Sequence, residues 1–395
     1  MLSFVVAMAV SAVLTPVAAR LAVRIGAVDI PRDRGLSYRE TPLLGGLAIL
    51  AGVLVAGALW LPAEIKLPHT VHGPPGSGGT VHTLTILAGA CLIALVGALD
   101  DTWELRPQWK LAGQVAAAVI AVEGGAVVSD VTVPFFGALQ FPNTGGVLTV
   151  IWLVGLMNVV NFSDGVDGLA AGVCTIDGIA FAVIAFDLDV GGAAVLAALT
   201  AGAALGFLFH NFHPASVFMG DAGANLLGYL LGVAAVAGSL KTNVVVALVV
   251  PLVILAIPFL DTGFVIAKRL KYRRKPWLAD SDHFHHRMAR IGFSQRRTVA
   301  YLYGWTILLA GLAVALRLLP YHRHNHYSVG WIAVLAGLAL LALAASIYLI
   351  YVLEIFKFKG LRASELRSSD PDTSEHQIDD QVRRDIETGD FERVR

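Results

Sequence analysis

Asp100 and Asp101 close an apolar run, and Lys110 follows them in Asp100-Asp-Thr-Trp-Glu-Leu-Arg-Pro-Gln-Trp-Lys110. Adjacent carboxylates repel unless a cation or a proton separates them, and beside a bilayer a divalent metal is the natural partner. Mg²⁺ prefers carboxylate oxygens together with substrate phosphates. An acidic cap at the end of a span is the plainer reading. Lys110 could meet a phosphate or simply snorkel to the interface. A second stretch, Asn158-Val-Val-Asn-Phe-Ser-Asp-Gly-Val-Asp-Gly-Leu169, places Asn158, Asn161, Asp164 and Asp167 at three-residue intervals. On a helix that spacing drifts slowly round one face, so the four polar groups could converge. Gly165 and Gly168 argue for an open or closely approached backbone. An ionised Asp at the bilayer centre costs about 3 kcal/mol even on the lenient insertion scale. Two of them beside two amides favour a built site over an ordinary polar turn.

Two further clusters carry related chemistry. Asp221 lies between Gly220 and Gly223 in Phe218-Met-Gly-Asp-Ala-Gly223, just ahead of a helical run. A carboxylate there can hold a metal or serve as an N-cap in a tight turn. His283, His285 and His286 stand in His283-Phe-His-His-Arg287, among Arg273, Arg274, Lys275, Arg287, Arg296 and Arg297. Three histidines could bind zinc. So many cations suit an anion better, and pyrophosphate held by hydrogen bonds and positive charge is the preferred reading. A solvated basic loop accounts for many of the arginines. Asp261 follows Pro258, where a proline breaks a span, and either lines a cavity or sits near an interface.

The elements that must position these groups are membrane spans. The chain has 395 residues, 56% hydrophobic and 15% charged, with mean hydropathy +0.70. That composition predicts an all-α polytopic membrane protein and excludes a soluble domain. Cys91 and Cys174 lie inside apolar runs and suggest neither a disulfide framework nor a zinc site. The N-terminus lacks a basic n-region, so its apolar run reads as a retained span rather than a signal peptide. Eleven spans are expected, at roughly 2–22, 43–61, 83–99, 109–127, 146–161, 169–187, 191–210, 223–240, 243–267, 298–318 and 328–355.

With the N-terminus outside, the inner segments 20–40, 100–110, 268–297 and the tail from 357 carry 25 of the 29 Lys and Arg. The C-terminus is then cytoplasmic, as the positive-inside rule requires. Asp100-Asp101, Asn158 to Asp167, Phe218 to Gly223 and the histidine loop all fall on that inner side. Chance would scatter such groups over both faces. Among the outer segments, 62–82 is Pro/Gly-rich and expected to be flexible, and 131–142 could form a small hairpin. His322, His324 and His326 read as a solvated outer loop. Residues 1–356 form the expected membrane domain, and 357–395 a charged cytoplasmic tail, disordered or a loose surface helix. No internal repeat argues for a transporter-type duplication.

The Asp100-Asp-x3-Leu-x-Pro-x2-Lys110, Asn161-x2-Asp-Gly-x-Asp-Gly-Leu169 and Phe218-Met-Gly-Asp221 runs occur here in the order found in a known family. From Thr41-Pro-Leu-Leu-Gly-Gly46 to near Arg297 the chain resembles the polyprenyl-phosphate N-acetylhexosamine-1-phosphate transferases (glycosyltransferase family 4), which include the MraY translocases and the WecA/TagO type. The resemblance implies that a membrane polyprenyl phosphate attacks the β-phosphate of a UDP-amino sugar, giving polyprenyl-pyrophosphate-sugar and UMP. It implies that Asp221 ligates Mg²⁺, with Mn²⁺ as a substitute. Asp100 would be a base or the partner of the lipid phosphate, with Asp101 beside it, and Asp164 would support the metal site or the nucleotide. Gly165, Val166, Asp167 and Phe218 match uridine-pocket positions, flanked by Asn158 and Asn161. Lys110, His283, His285, His286 and Arg287 would meet phosphates, and the broken ninth span would shape a groove for the polyprenyl chain. The His283-Phe-His-His-Arg spelling, followed by Gly292-Phe-Ser, looks like the WecA/TagO type, whose donor is UDP-GlcNAc or a close relative. Eleven spans also suit that type better than the ten of MraY. The site would face the cytoplasm from the inner or plasma membrane. No nucleic-acid partner is implied, and a homodimer is compatible with the small residues of the spans. The long Pro/Gly outer loop and the charged tail depart from the family pattern without touching its motifs. An MraY-like pentapeptide transferase and a transporter or flippase are the alternatives; the signature of the CDP-alcohol phosphotransferases is absent.

Overall fold

The computed structural model describes residues 1–29, 40–66, 79–128, 130–133, 137–141, 144–238, 295–320, 322–323 and 326–352. Ten helices lie among them: α1 (Leu2–Ile25), α2 (Gly45–Trp60), α3 (Thr83–Trp103), α4 (Pro107–Glu123), α5 (Gly145–Ser163), α6 (Leu169–Asp187), α7 (Gly191–Asn211), α8 (Gly220–Gly238), α9 (Gln295–Leu318) and α10 (Val329–Val352). Eight are long and apolar enough to cross a membrane, and α2 and α4 are shorter. The chain is a helical, multi-pass membrane protein. Each of these helices coincides with an expected span to within a few residues. The expected ninth span, with Pro258 and Asp261, lies outside the described residues, as do His283, His285, His286, Arg287 and the tail from 357.

The bundle is organised around α8. Beyond Asn225 that helix is apolar on every side, the pattern of a helix enclosed by others, and it packs against α2, α3, α5, α6 and α7. Nearly all of it is buried, Tyr229 included. Small residues let the backbones meet, as expected where lipid supplies no hydrophobic force between helices. Gly97 of α3 lies so close to Ala222 and Asp221 that a Cβ would strike their backbone. By contrast α10 shows Leu340, Leu341, Leu343 and Ile347 at the surface, as a helix facing lipid would.

Short hairpins cap the helices. Glu64–Lys66 pairs antiparallel with Thr80–His82, and Asp130–Val133 with Gly137–Gln140. The second is the hairpin anticipated around 131–142. The first corrects the expectation of a wholly flexible 62–82, because its two ends form a ladder, and Thr83 N–H donates to the Ala63 carbonyl at 3.0 Å. At the other end of the bundle Val28–Asp29 pairs with Thr41–Pro42. There the Phe218 N–H donates to the Pro42 carbonyl at 2.8 Å, and Gly45 N–H to the Phe218 carbonyl at 3.0 Å. This end holds the polar clusters.

Candidate functional site

Helix α8 begins at Gly220, which turns the chain at φ +65°. A helix start leaves backbone N–H groups without intrahelical partners, and Met219 has no side-chain oxygen to satisfy them. Asp101, reaching over from the last turn of α3, does so instead. Its Oδ1 accepts the Asp221 N–H at 2.8 Å and its Oδ2 the Ala222 N–H at 3.2 Å. A Cβ at position 220 would run into this carboxylate. The negative charge also meets the positive end of the α8 dipole.

Asp100 points elsewhere. Its Oδ1 accepts the Leu105 N–H at 2.9 Å, and its Oδ2 lies 2.9 Å from the Lys110 ammonium. The same ammonium pairs with Asp221 Oδ2. Asp221 Oδ1 accepts the Asn161 Nδ2 amide at 2.9 Å. All these side chains are partly exposed rather than sealed. Four helices, α3, α4, α5 and α8, thus deliver Asp100, Asp101, Lys110, Asn161 and Asp221 to one place.

The residues present suit a divalent cation. One oxygen each from Asp100, Asp101 and Asp221 lies within 4.8 Å of the others. Hard carboxylate oxygens are the ligands Mg²⁺ selects, and the Lys110 ammonium already lies against two of the three acids. Asp164 follows the last residue of α5. Burial raises its carboxyl pKa well above the ordinary range, and the charges of Asp221, Asp101 and Asp167 push the same way. Positive charge brought to this centre would reverse that pressure.

An amide chain descends from the acidic centre into the bundle. Asn225 Nδ2 donates to the Asp221 carbonyl at 2.8 Å, and Gln114 Nε2 to Asn225 Oδ1 at 2.8 Å. Asn158 Nδ2 donates to Gln114 Oε1 at 2.9 Å and to the Val154 carbonyl at 2.8 Å. Gln114 and Asn225 are buried. Buried amides that find partners stiffen a site, whereas unpaired ones are costly. The four polar residues of the 158–167 stretch therefore do not converge on one point. The helix ends at Ser163, so Asn158 joins this chain and Asn161 reaches Asp221. Asp164 and Asp167 lie on the turn that follows.

That turn is held from beside it. Asp167 Oδ2 lies 2.8 Å from His213 Nδ1 and accepts the Ala215 N–H at 3.0 Å. Gly168, at φ +79°, donates its N–H to Asn211 Oδ1 at 2.9 Å, and its carbonyl accepts the Tyr303 hydroxyl at 2.5 Å. Asn211 Nδ2 donates to the Val217 carbonyl at 3.0 Å. Arg296, at the start of α9, donates to the His213 carbonyl from Nε at 3.3 Å and Nη2 at 3.2 Å. Val166 is buried and Phe218 partly so.

Sequence reasoning missed Gln114, Asn225, Asn211, His213 and Tyr303. Two of them had a signal: Gln114 follows Lys110, and Asn225 follows Asp221, by four residues, the spacing that stacks side chains on one helix face. His213 and Tyr303 had none, because their partners are distant in the chain.

Residues 83–239 match the model of glycosyl transferase family 4. The "Probable undecaprenyl-phosphate N-acetylglucosaminyl 1-phosphate transferase" of Bacillus subtilis (strain 168) is 35% identical over 310 residues, covering 76% of this chain and 80% of the relative. The "Decaprenyl-phosphate N-acetylglucosaminephosphotransferase" of Mycolicibacterium smegmatis is 38% identical over 312 residues, 73% of this chain and 75% of the relative. The "Phospho-N-acetylmuramoyl-pentapeptide-transferase" of Desulforamulus reducens is 32% identical over 335 residues, 77% of this chain and 92% of the relative. The chain belongs to glycosyl transferase family 4.

Proposed function

We propose that this enzyme transfers GlcNAc-1-phosphate from UDP-GlcNAc to a membrane polyprenyl phosphate. A lipid phosphate oxygen forms a bond to the β-phosphorus. The bond from that phosphorus to the α–β bridging oxygen breaks, and UMP leaves with the oxygen. The observation that carries this reading is the convergence of three carboxylates, a lysine and an amide at one end of a membrane bundle. The two relatives named for N-acetylglucosaminyl phosphate transfer, at 35% and 38% identity, support GlcNAc as the sugar.

Phosphoryl transfer asks little of a protein beyond positioning and charge neutralisation. Asp221, with Asp100 and Asp101 next to it, would hold Mg²⁺ or Mn²⁺, which supplies positive charge to the diphosphate when bound. Asp100 orients the attacking lipid phosphate or takes its proton. Lys110 meets phosphate, a role that its contacts with two acids keep it placed for. Asp101 fixes the start of α8 and so the position of Asp221. Gly165, Val166, Asp167 and Phe218 form the uridine side, with Asp164 between it and the acids. His283, His285, His286 and Arg287 add phosphate contacts. The site faces the cytoplasm, with the N-terminus outside, the C-terminus inside and eleven spans in all. Residues 1–356 act as one transferase unit, and 357–395 form a tail outside it.

UMP release by detergent-purified protein tests this reading. Polyprenyl phosphate is supplied with UDP-GlcNAc, UDP-GalNAc or UDP-MurNAc-pentapeptide, each with Mg²⁺ or chelator. Release from UDP-GlcNAc that chelator abolishes is the expected result. Release from the pentapeptide donor alone would keep the chemistry and move the substrate. No release from any donor by folded protein would contradict the assignment and favour a transporter.

A further inference from the structure

One titratable group at this end has no part in the mechanism above. His213 sits in the segment between α7 and α8, half-buried, with its ring 2.8 Å from the Asp167 carboxylate. Its backbone carbonyl is gripped by Arg296 of α9. The residue therefore ties three separate pieces together: the 164–168 turn, the 211–219 segment and the first turn of α9. The turn begins at Asp164, which feels the charges of Asp221 and Asp101, and the segment runs directly into Gly220 and Asp221. Loosening the His213 contact frees the turn beside the acidic centre, while Asp100 and Asp221 keep the partners that α4 and α5 supply.

The contact is also directional. One oxygen of Asp167 both accepts the Ala215 N–H and lies against the His213 ring nitrogen. Hydrogen bonds to a charged acceptor are roughly twice as strong as neutral ones. The turn has other supports, since Asn211 and Tyr303 hold Gly168. Removing the His213 ring should leave the fold standing and free the Asp167 end of the turn.

We propose that His213 is a positioning residue for the nucleotide-sugar donor: through Asp167 it fixes the turn that forms the donor's uridine side. This rests on the transferase reading given above. The lipid substrate approaches from the bilayer, so its affinity does not depend on this turn. Only the Nδ1 position makes the contact. Asn carries an amide nitrogen near where Nδ1 stands, and Gln carries one near Nε2, so His213→Asn should rescue what His213→Ala loses and His213→Gln should not.

The test is UMP release by the purified full-length chain, titrating UDP-GlcNAc and polyprenyl phosphate in turn, with thermal unfolding of each variant and direct UDP-GlcNAc binding by calorimetry. For His213→Ala the donor KM should rise about 10-fold, the loss typical of one charge-assisted hydrogen bond. The turnover number and the KM for polyprenyl phosphate should stay within about 3-fold, and His213→Asn should recover most of the donor affinity. An unchanged donor KM in His213→Ala, or equal loss in the Ala and Asn variants, would overturn the inference while leaving the function intact. A wild-type chain that binds UDP-GlcNAc without releasing UMP contradicts the transferase reading; weaker binding in His213→Ala would still support the inference. A wild-type chain that neither binds nor turns over UDP-GlcNAc contradicts both.

Discussion

At the acidic centre, Asp100, Asp221 and Lys110 hold one another by charge, side chain to side chain, across three helices. Along the adjoining rim, Asp167, Asn211 and Gly168 are held mostly by backbone amides, carbonyls and a ring nitrogen. Charges that satisfy one another can be rearranged when a phosphate and a cation arrive, because each has an alternative partner of opposite sign. Backbone-anchored contacts fix the shape of a wall and have no such exchange available. On the function proposed above, turnover would depend on the centre and donor affinity on the rim, and substitutions should separate the two.

The largest effect is expected at Asp221. Asp221→Ala should lower turnover by about 10³-fold or more, the scale seen when a principal electrostatic group is removed. It should also abolish the response to added Mg²⁺. Turnover near wild type, measured as UMP release, would dissolve the distinction between centre and rim. Lys110→Ala comes next, with a loss of about 10²-fold in turnover and a smaller change in donor KM. If donor KM alone moved, Lys110 would belong with the rim. The His213 variants sharpen the same contrast from the other side.

Smaller effects probe stability. Asp101→Asn keeps one acceptor oxygen and loses the other, along with the charge at the start of α8. A cost of about 1 kcal/mol is expected, as for other lost helix caps, seen as a lower unfolding midpoint in detergent. An unchanged midpoint would mean that Asp101 does not brace α8. A second stability test concerns Asp164, whose carboxyl is raised by burial and by neighbouring acids. An acid with a raised folded pKa favours folding while both states are protonated. It loses that contribution as pH climbs from the ordinary carboxylate value to the raised one. In chelator, the wild-type midpoint should therefore fall over that window, and Asp164→Asn should flatten the fall. Identical pH profiles would contradict the assigned cause.

Much of the centre was legible because each of its parts sits at the end of an apolar run. Asp100, Asp101, Asn161 and Asp221 interrupt hydrophobicity where a span ends, so their gathering at one end of the bundle could be read. The division of labour between Asp100 and Asp101 could not be. Successive side chains on a helix point about 100° apart, which sends one acid to Lys110 and the other to the α8 amides, and the letters alone do not say which. The expected convergence of Asn158, Asn161, Asp164 and Asp167 failed for a related reason. A helical drift was assumed through a stretch whose glycines end the helix at Ser163. His213 was invisible because its meaning comes from Asp167 and Arg296, both far away in the chain.

The most direct test of the central claim follows the phosphorus. UDP-GlcNAc labelled with radioactive phosphorus at the β position is incubated with polyprenyl phosphate, Mg²⁺ and the purified chain, and the lipid is extracted. The label should move into the lipid fraction in step with UMP release. Label that remains wholly in the aqueous phase, with folded protein and both substrates present, would contradict it.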